Sequence, residues 1–320
     1  MPKIVPAAVL AAVCACLSVS GIAQEVYPTR TVRFVVPFPA GSGTDVLSRL
    51  LADQLTRKWG RTVISENVPG ASGNIGAADV WRAAPDGHTL LLAPPGPIAT
   101  NRFLFKEMAY DSTKWVVVSW LTTVPYVLTA RSSFKGTFKD LVAQAKAGKI
   151  TTAVPGPGGT AHLSVAHLEA LAGIKFVYIP YKGLGPAMND IVAGHVDMMF
   201  DTLTTSLPLH QQGRVRIVAV ASPKRVESLP DIPTVAESGY PTYRSITWFG
   251  LVAPPGTPIA LAERISRDVG EVIRSPQVNA RIRSMQMQPA GSTRAEAVAF
   301  FADEARYWGQ IIKDAKIALQ

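Results

Sequence analysis

From residue 31 onward, short runs rich in β-branched residues alternate with stretches whose apolar residues recur at helical spacing. Residues 31–36 suit a strand, and residues 45–59 suit a helix with Leu47, Leu50, Leu51 and Leu55 on one face. Strands at 62–65 and 89–93 flank a helix at 75–84, and the rhythm restarts with strands at 150–154, 176–179 and 196–200. Helices at 161–171 and 186–193 separate these last three, and a further strand spans 215–221. Such alternation predicts parallel sheets covered by helices, an α/β fold. The tail adds a strand at 246–253, a helix opening at Pro258, and a capping box, Thr293-Arg294-Ala295-Glu296, before a last helix buried through Ala297, Phe301, Trp308 and Ile312. Residues 115–130, uncharged and interrupted by Ser119, Thr122, Thr123 and Pro125, suit two buried strands better than a membrane helix.

A chain of 320 residues is long enough for two such units. Only 17% of the residues are charged and 48% are apolar, which excludes a disordered chain. The two cysteines, Cys14 and Cys16, both lie near the start, so neither a disulfide scaffold nor a cysteine-ligated metal site is available further on. That start reads as a signal peptide over residues 1–23. Lys3 precedes an uncharged apolar stretch at 4–19, and Gly21 and Ala23 supply the small residues of a cleavage site. The stretch is shorter than the roughly 20 residues of a spanning helix, and Cys16 is a poor lipidation site with Cys14 so close. Export to the periplasm follows, with no thiol left in the mature chain.

The strand-to-helix joints carry the chemistry. Pro37-Phe38-Pro39-Ala40-Gly41-Ser42-Gly43-Thr44-Asp45, Pro69-Gly70-Ala71-Ser72-Gly73-Asn74 and Pro94-Pro95-Gly96-Pro97 follow the first three strands. Pro155-Gly156-Pro157-Gly158-Gly159-Thr160 and Tyr181-Lys182-Gly183-Leu184-Gly185-Pro186 take matching places later. Glycine lets backbone approach a ligand, and the first N–H groups of a helix attract anions. Turn chemistry alone accounts for any one of these loops. Five of them, interleaved with Ser42, Thr44, Asn74 and Thr160, point to a ligand cleft at the carboxyl ends of the strands.

Catalytic readings of the same residues fail one by one. Gly156 to Ala161 fits a dinucleotide pattern, but no acid ends the following strand and Pro157 removes a donor. Gly70-Ala71-Ser72-Gly73-Asn74 misses a nucleophile elbow at its last position, and no Walker motif occurs. A hydrolase built on Ser42 or Ser72 lacks a partnered histidine. His162 and His167 are five apart, not on one helix face, so no metal is expected. His162 is either a partner within its glycine loop or a helix-surface residue. Asp45 either caps its helix or lines the cleft; Asp201, ending a strand, suits a site role.

Taken together, these segments resemble the Bug family, the extracytoplasmic solute receptors of tripartite tricarboxylate transporters. The resemblance rests on Tyr27-Pro28, on Val35 through Asp45, and on Asn67-Val68-Pro69-Gly70-Ala71-Ser72-Gly73-Asn74-Ile75-Gly76. It continues through Pro85-Asp86-Gly87-His88-Thr89-Leu90, Pro180-Tyr181-Lys182-Gly183, Gly185-Pro186-Ala187, Val196-Asp197 and Phe200-Asp201. Leu229 through Gly239 and Trp248 through Pro258 complete it, so that it covers essentially the whole mature chain.

The resemblance implies a bilobed, type II-like periplasmic binding protein that closes on a small carboxylated ligand, held partly through ordered waters. It implies ligand contacts at Phe38, Ala40, Gly41, Ser42, Gly43, Asp45 and Asn74 from one lobe. From the other it implies Gly158, Gly159, Thr160, Lys182, Gly183 and Asp201. Departures fall at Pro155 and Pro157, at Thr202 where Asn is common, and across residues 110–115, so a specific solute is not implied. The expected organisation is a first lobe from 24–123 and 245–320 around a second lobe at 124–244. The expected function is capture of a small organic carboxylate and its delivery to membrane permease subunits, by a monomer with no enzyme activity, cofactor or metal. Signalling to a membrane sensor kinase is the alternative output. The net charge of +9 can steer anions, but the basic residues are scattered and no nucleic-acid partner is expected.

Overall fold

A computed structural model describes residues 27–156 and 158–317. The expected leader with Cys14 and Cys16, and Pro157 of the second-lobe glycine loop, lie outside the described residues. The first unit runs β1 (Val32–Val36), α1 (Gly43–Trp59), β2 (Val63–Asn67), α2 (Asn74–Trp81) and β3 (Thr89–Ala93). β1 pairs in parallel with β2 and β3, as strands joined by crossover helices must.

The chain then leaves through one strand, not two. β4 (Val116–Arg131) is continuous over 16 residues, about 50 Å of extended backbone. Its register against β9 (Ile246–Ala253) shifts between Val117 and Ser119 and again between Trp120 and Thr122, and such bulges bend a strand without ending it. The polar residues that suggested an interruption are absorbed there: Ser119 and Thr122 are fully buried. Pro125 stands where the β9 pairing stops, opposite Ile246, a position at which a missing N–H costs no ladder bond. From Tyr126 onward β4 pairs instead with β7 (Met198–Thr202) and β8 (Val215–Val220).

The second unit repeats the first. β5 (Thr151–Pro155) pairs in parallel with β6 (Val177–Tyr181) and with β7, and α4 (Thr160–Ala172) and α5 (Leu184–Ala193) connect the three. Two helices not foreseen by periodicity, α3 (Phe138–Lys146) and α6 (Leu203–Gln211), complete its cover. α6 was hidden by Pro208 and a run of threonines, both weak helix formers. β9 returns the chain to β3 and β4. It is followed by α7 (Ile259–Arg274), α8 (Pro276–Ser284), the short β10 (Gln288–Pro289) on β4, and α9 (Arg294–Asp314).

The strand path is therefore β2-β1-β3-β9-β4-β7-β5-β6, with β10 and β8 also on β4. Two α/β lobes share β4. One core lies between the first lobe's sheet and α1, α7 and α8, with Phe34, Leu51, Leu251 and Ile265 inaccessible to solvent. Another joins β4, β7 and β8 to α3 and α4 through Leu128, Val165, Leu168 and Phe200.

The last helix, α9, contacts both lobes. Phe301 stacks on Trp248 of β9, 4.4 Å between ring centroids, while Trp308 and Ile312 pack with Leu163 of α4. Its 21 residues span about 32 Å, enough to reach across. The capping box read from sequence is formed: the Thr293 hydroxyl accepts from the Glu296 N–H at 3.3 Å, and the Glu296 carboxylate accepts from the Thr293 N–H at 2.8 Å.

Candidate functional site

The strand-to-helix joints of both lobes meet at one cavity of about 350 Å³. From the first lobe come Phe38, Ser42, Gly43, Ser72 and Asn101; from the second come Gly158, Gly159, Thr160, Thr202 and Thr205. β4 and β9 form the floor with Val124, Tyr126, Thr247 and Phe249. Among the described lining residues there is no Lys, Arg, His, Asp or Glu.

In the loop before α1, Ser42 is the N-cap, and its hydroxyl accepts from the Asp45 N–H at 3.3 Å. Asp45 turns back and accepts from the Gly41 N–H at 2.9 Å. Gly41 sits at φ +82°, a left-handed conformation that glycine adopts without strain. Arg49 donates to the Asp45 carboxylate and to Asn67, which in turn donates to the Phe38 carbonyl. Burial pushes the Asp45 carboxyl up, but the bonds from Arg49 and Gly41 hold it below its ordinary value of 3.8. Asp45 is thus a buried brace for the loop, and neither it, Gly41 nor Ala40 is among the lining residues. The Gly43 and Thr44 N–H groups find no backbone acceptor among the described residues and remain for a ligand.

Asn74 also acts from behind. Its Oδ1 accepts from Asn101 Nδ2 at 2.6 Å and from the Tyr110 hydroxyl at 2.9 Å, which fixes the Asn101 side chain at the cavity. Sequence reading stopped at Pro94-Pro95-Gly96-Pro97 and missed Thr100 and Asn101, which follow in the next turn.

In the second lobe, the Gly158 N–H donates to His162 Nδ1 at 2.9 Å, so His162 holds its glycine loop from the first turn of α4. Burial keeps that imidazole neutral by lowering its pKa, as an acceptor nitrogen requires. Gly159 is the N-cap and offers no side chain, leaving the Thr160 and Ala161 N–H groups without a backbone acceptor among the described residues.

Lys182 is exposed, and Gly183 caps α5; the neighbouring Leu184, not these two, reaches the cavity. Asp201 lies fully buried on β7, accepting from the Ser206 hydroxyl at 2.9 Å, and is not a lining residue. Burial pushes its carboxyl up to about 7. The residue after it, Thr202, does line the cavity, with Thr204 and Thr205 of α6. Thr202 had been noted as a departure from the family pattern, whereas Thr204 and Thr205 escaped sequence reading along with their helix. Thr204 also donates to the Met285 carbonyl at 2.8 Å, a contact between the lobes. No cluster of acids, histidines and cysteines fit for a metal occurs among the described residues, nor any helix long and apolar enough to cross a membrane.

Residues 47–317 match the family described as the tripartite tricarboxylate transporter family receptor. The periplasmic binding protein BugD is 34% identical over 92% of this chain and all of its own, with a TM-score of 0.79. A protein of R. palustris solved with adipate is 32% identical over the same shares, with a TM-score of 0.83. MatC from Rhodopseudomonas palustris, solved with bound malate, is 29% identical over 89% of this chain and all of its own, with a TM-score of 0.78. The two-lobed α/β fold is that of periplasmic binding proteins, and the homologues are solute-binding receptors, not enzymes. The chain belongs to the tripartite tricarboxylate transporter receptor family, among the Bug-type solute-binding receptors.

Proposed function

We propose that this receptor is exported, loses residues 1–23, and captures a small organic carboxylate between a lobe of residues 24–123 and 245–320 and a lobe of residues 124–244. As a monomer, it then hands the solute to the membrane permease subunits of its transporter. The observation that carries this reading is the pair of helix starts, α1 and α4, whose first N–H groups have no backbone acceptor among the described residues, at one cavity whose described lining holds no charged side chain. Each helix start carries a partial positive charge, roughly half a unit, which suits an anion and needs no lysine or arginine. Hydroxyls of Ser42 and Thr160 add neutral donors beside them. Solved relatives of the same fold are bound to adipate and to malate, which supports a small carboxylate as the solute here.

Affinity comes from closure, with both lobes contributing donors to one ligand. Calorimetric titration with mono-, di- and tricarboxylates, paired with small-angle scattering, tests this. Binding of a carboxylate with a fall in radius of gyration is expected; absence of binding across the panel overturns it.

A further inference from the structure

One turn of the first lobe faces two ways. Over Asn101–Phe103 the chain makes a single 3-10 turn. Asn101 and the following Leu104 line the solute cavity, whereas Phe103 lines a second, open groove along α9. Leu104 also packs with Trp308 and Ile312 of α9 and with Leu163 of α4. We propose that this groove docks an acidic segment of the membrane permease, and that the turn reports to it whether the cavity is filled. Such a partner presupposes the receptor function proposed above and rests on it.

The groove has the chemistry of a protein interface. Phe103 is 39% exposed, although large apolar rings are ordinarily covered. Its ring is seated on the α9 backbone at Gly309, where a Cβ would come within 2.8 Å of Phe103 Cζ, so glycine makes room for it. The Arg102 guanidinium stands 4.8 Å from the centre of the same ring, and Ile317 adds apolar surface. Interfaces are enriched in this combination of aromatic ring and arginine. Along the rim run Arg306, Lys313 and Lys316. Arg306 shares Asp303 with Arg244, at 3.4 and 2.9 Å. Lys313 and Lys316 have no ion pair among the described residues. Asp314, the acid between them, accepts from Gln310 at 2.7 Å and is not among the lining residues. The described lining thus holds three cations and no Asp or Glu, a surface that attracts carboxylates and repels a basic partner. A lipid surface is met by a helix face with a broad apolar stripe. A groove with one exposed ring instead fits a protein segment that sets acids around an apolar side chain.

Position links this surface to the solute. Because Asn101, Arg102 and Phe103 belong to one turn, a solute that draws on Asn101 or Leu104 shifts the ring and the guanidinium that the partner touches. By reciprocity, a permease that prefers the filled receptor tightens solute binding by the same factor.

Photocrosslinking in intact producing cells tests this. Benzoylphenylalanine replaces Phe103 in one variant and the exposed Lys146 of the second lobe in a control. Cells are illuminated with and without the carboxylate that binds tightest in the titration panel, and adducts are mapped by mass spectrometry. From position 103 an adduct with an acidic extracytoplasmic segment of a permease subunit is expected, about fivefold more abundant with the carboxylate present. Lys313→Glu with Lys316→Glu should cut that adduct about tenfold, while the purified double variant binds the carboxylate with parental affinity. Adducts with lipid or other proteins alone, no adduct, an equal permease adduct from position 146, or indifference to the charge reversal overturns the docking surface and leaves the solute receptor standing. A permease adduct equally abundant without the carboxylate overturns the coupling through the turn. Absence of carboxylate binding by the parent overturns the receptor reading itself.

Discussion

Asp45 shows how one side chain converts a glycine loop from a flexible turn into a preset cradle. It holds Gly41 on one side and Arg49 on the other, and Arg49 continues through Asn67 to the Phe38 carbonyl. Because the folded carboxyl titrates below its ordinary 3.8, this brace contributes stability above about pH 4 and loses it as pH falls through the depressed value. Asp45→Asn should therefore lower stability at neutral pH and converge with the parent in acid, measured by urea unfolding across pH. Asp201 has the opposite sign. Its folded value of about 7 lies above the ordinary 3.8, so its contribution is full below about pH 4 and is gone once pH has risen through 7. Asp201→Asn should match the parent at pH 4 and exceed it at pH 8 in the same experiment.

Gly73 tests the wall behind the site. It sits at φ +90°, and a Cβ there would lie 2.6 Å from Pro97 Cγ and 3.4 Å from the Phe38 ring. Gly73→Ala should cost about 1–3 kcal/mol of stability through strain and overpacking. It should also weaken solute binding by displacing Phe38, read by calorimetry.

Among the elements, α9 does the work of a brace between lobes. Glu304, only 1% exposed, accepts from the indole N–H groups of Trp248 and Trp308 and pairs with Arg244 at 2.7 Å. Next to it Tyr307 donates to the Arg244 carbonyl at 2.6 Å and meets His167 of α4 at 3.0 Å. Arg244→Ala leaves a buried carboxylate without its cation and should cost about 3 kcal/mol, seen in the denaturant midpoint.

The buried face of α9 was legible in the spacing of Ala297, Phe301, Trp308 and Ile312, and its start in the capping box. That its two halves serve different lobes was not legible, since periodicity reports which residues are buried and not what covers them. β4 makes the same point differently: the apolar run was evident, but its continuity depended on partners from residues 198–202, 215–220 and 246–253. The glycine loops announced a cleft, and Phe38, Ser42, Gly43, Gly158, Gly159 and Thr160 line it. Whether Asp45, Asn74 and Asp201 reach it or stand behind it depended on side-chain partners that a single sequence does not encode locally.

On the scale of the molecule, the two lobes are joined by continuous strand and by α9, and β4 exchanges its β9 partner for β7 and β8 next to Pro125 and Ile246, where a relative motion of the lobes would have to bend it. The Thr204–Met285 contact on the cavity side would break on opening. Thr204→Val should therefore lower the affinity for a bound carboxylate a few-fold, a loss on the order of 1 kcal/mol, with the larger effect on the dissociation rate. The net charge of +9 adds a long-range field, and association with an anionic solute should slow as salt is raised. Stopped-flow tryptophan fluorescence at several ionic strengths would show it.

The shared strands also govern how the molecule can come into being. A chain synthesised from its N-terminus presents β3 and β4 long before β9, which begins at residue 246, and α9 is last of all. Until then the first lobe has an open sheet edge and half of its core uncovered, surfaces that invite wrong pairing. The first lobe cannot mature before that segment arrives, whereas the core of the second lobe is built entirely from earlier residues, and a fragment ending before residue 246 should aggregate when produced alone. Completion of the first lobe is deferred until the last part of the sequence, from residue 246 on, arrives, so that lobe stays an open chain for most of the synthesis.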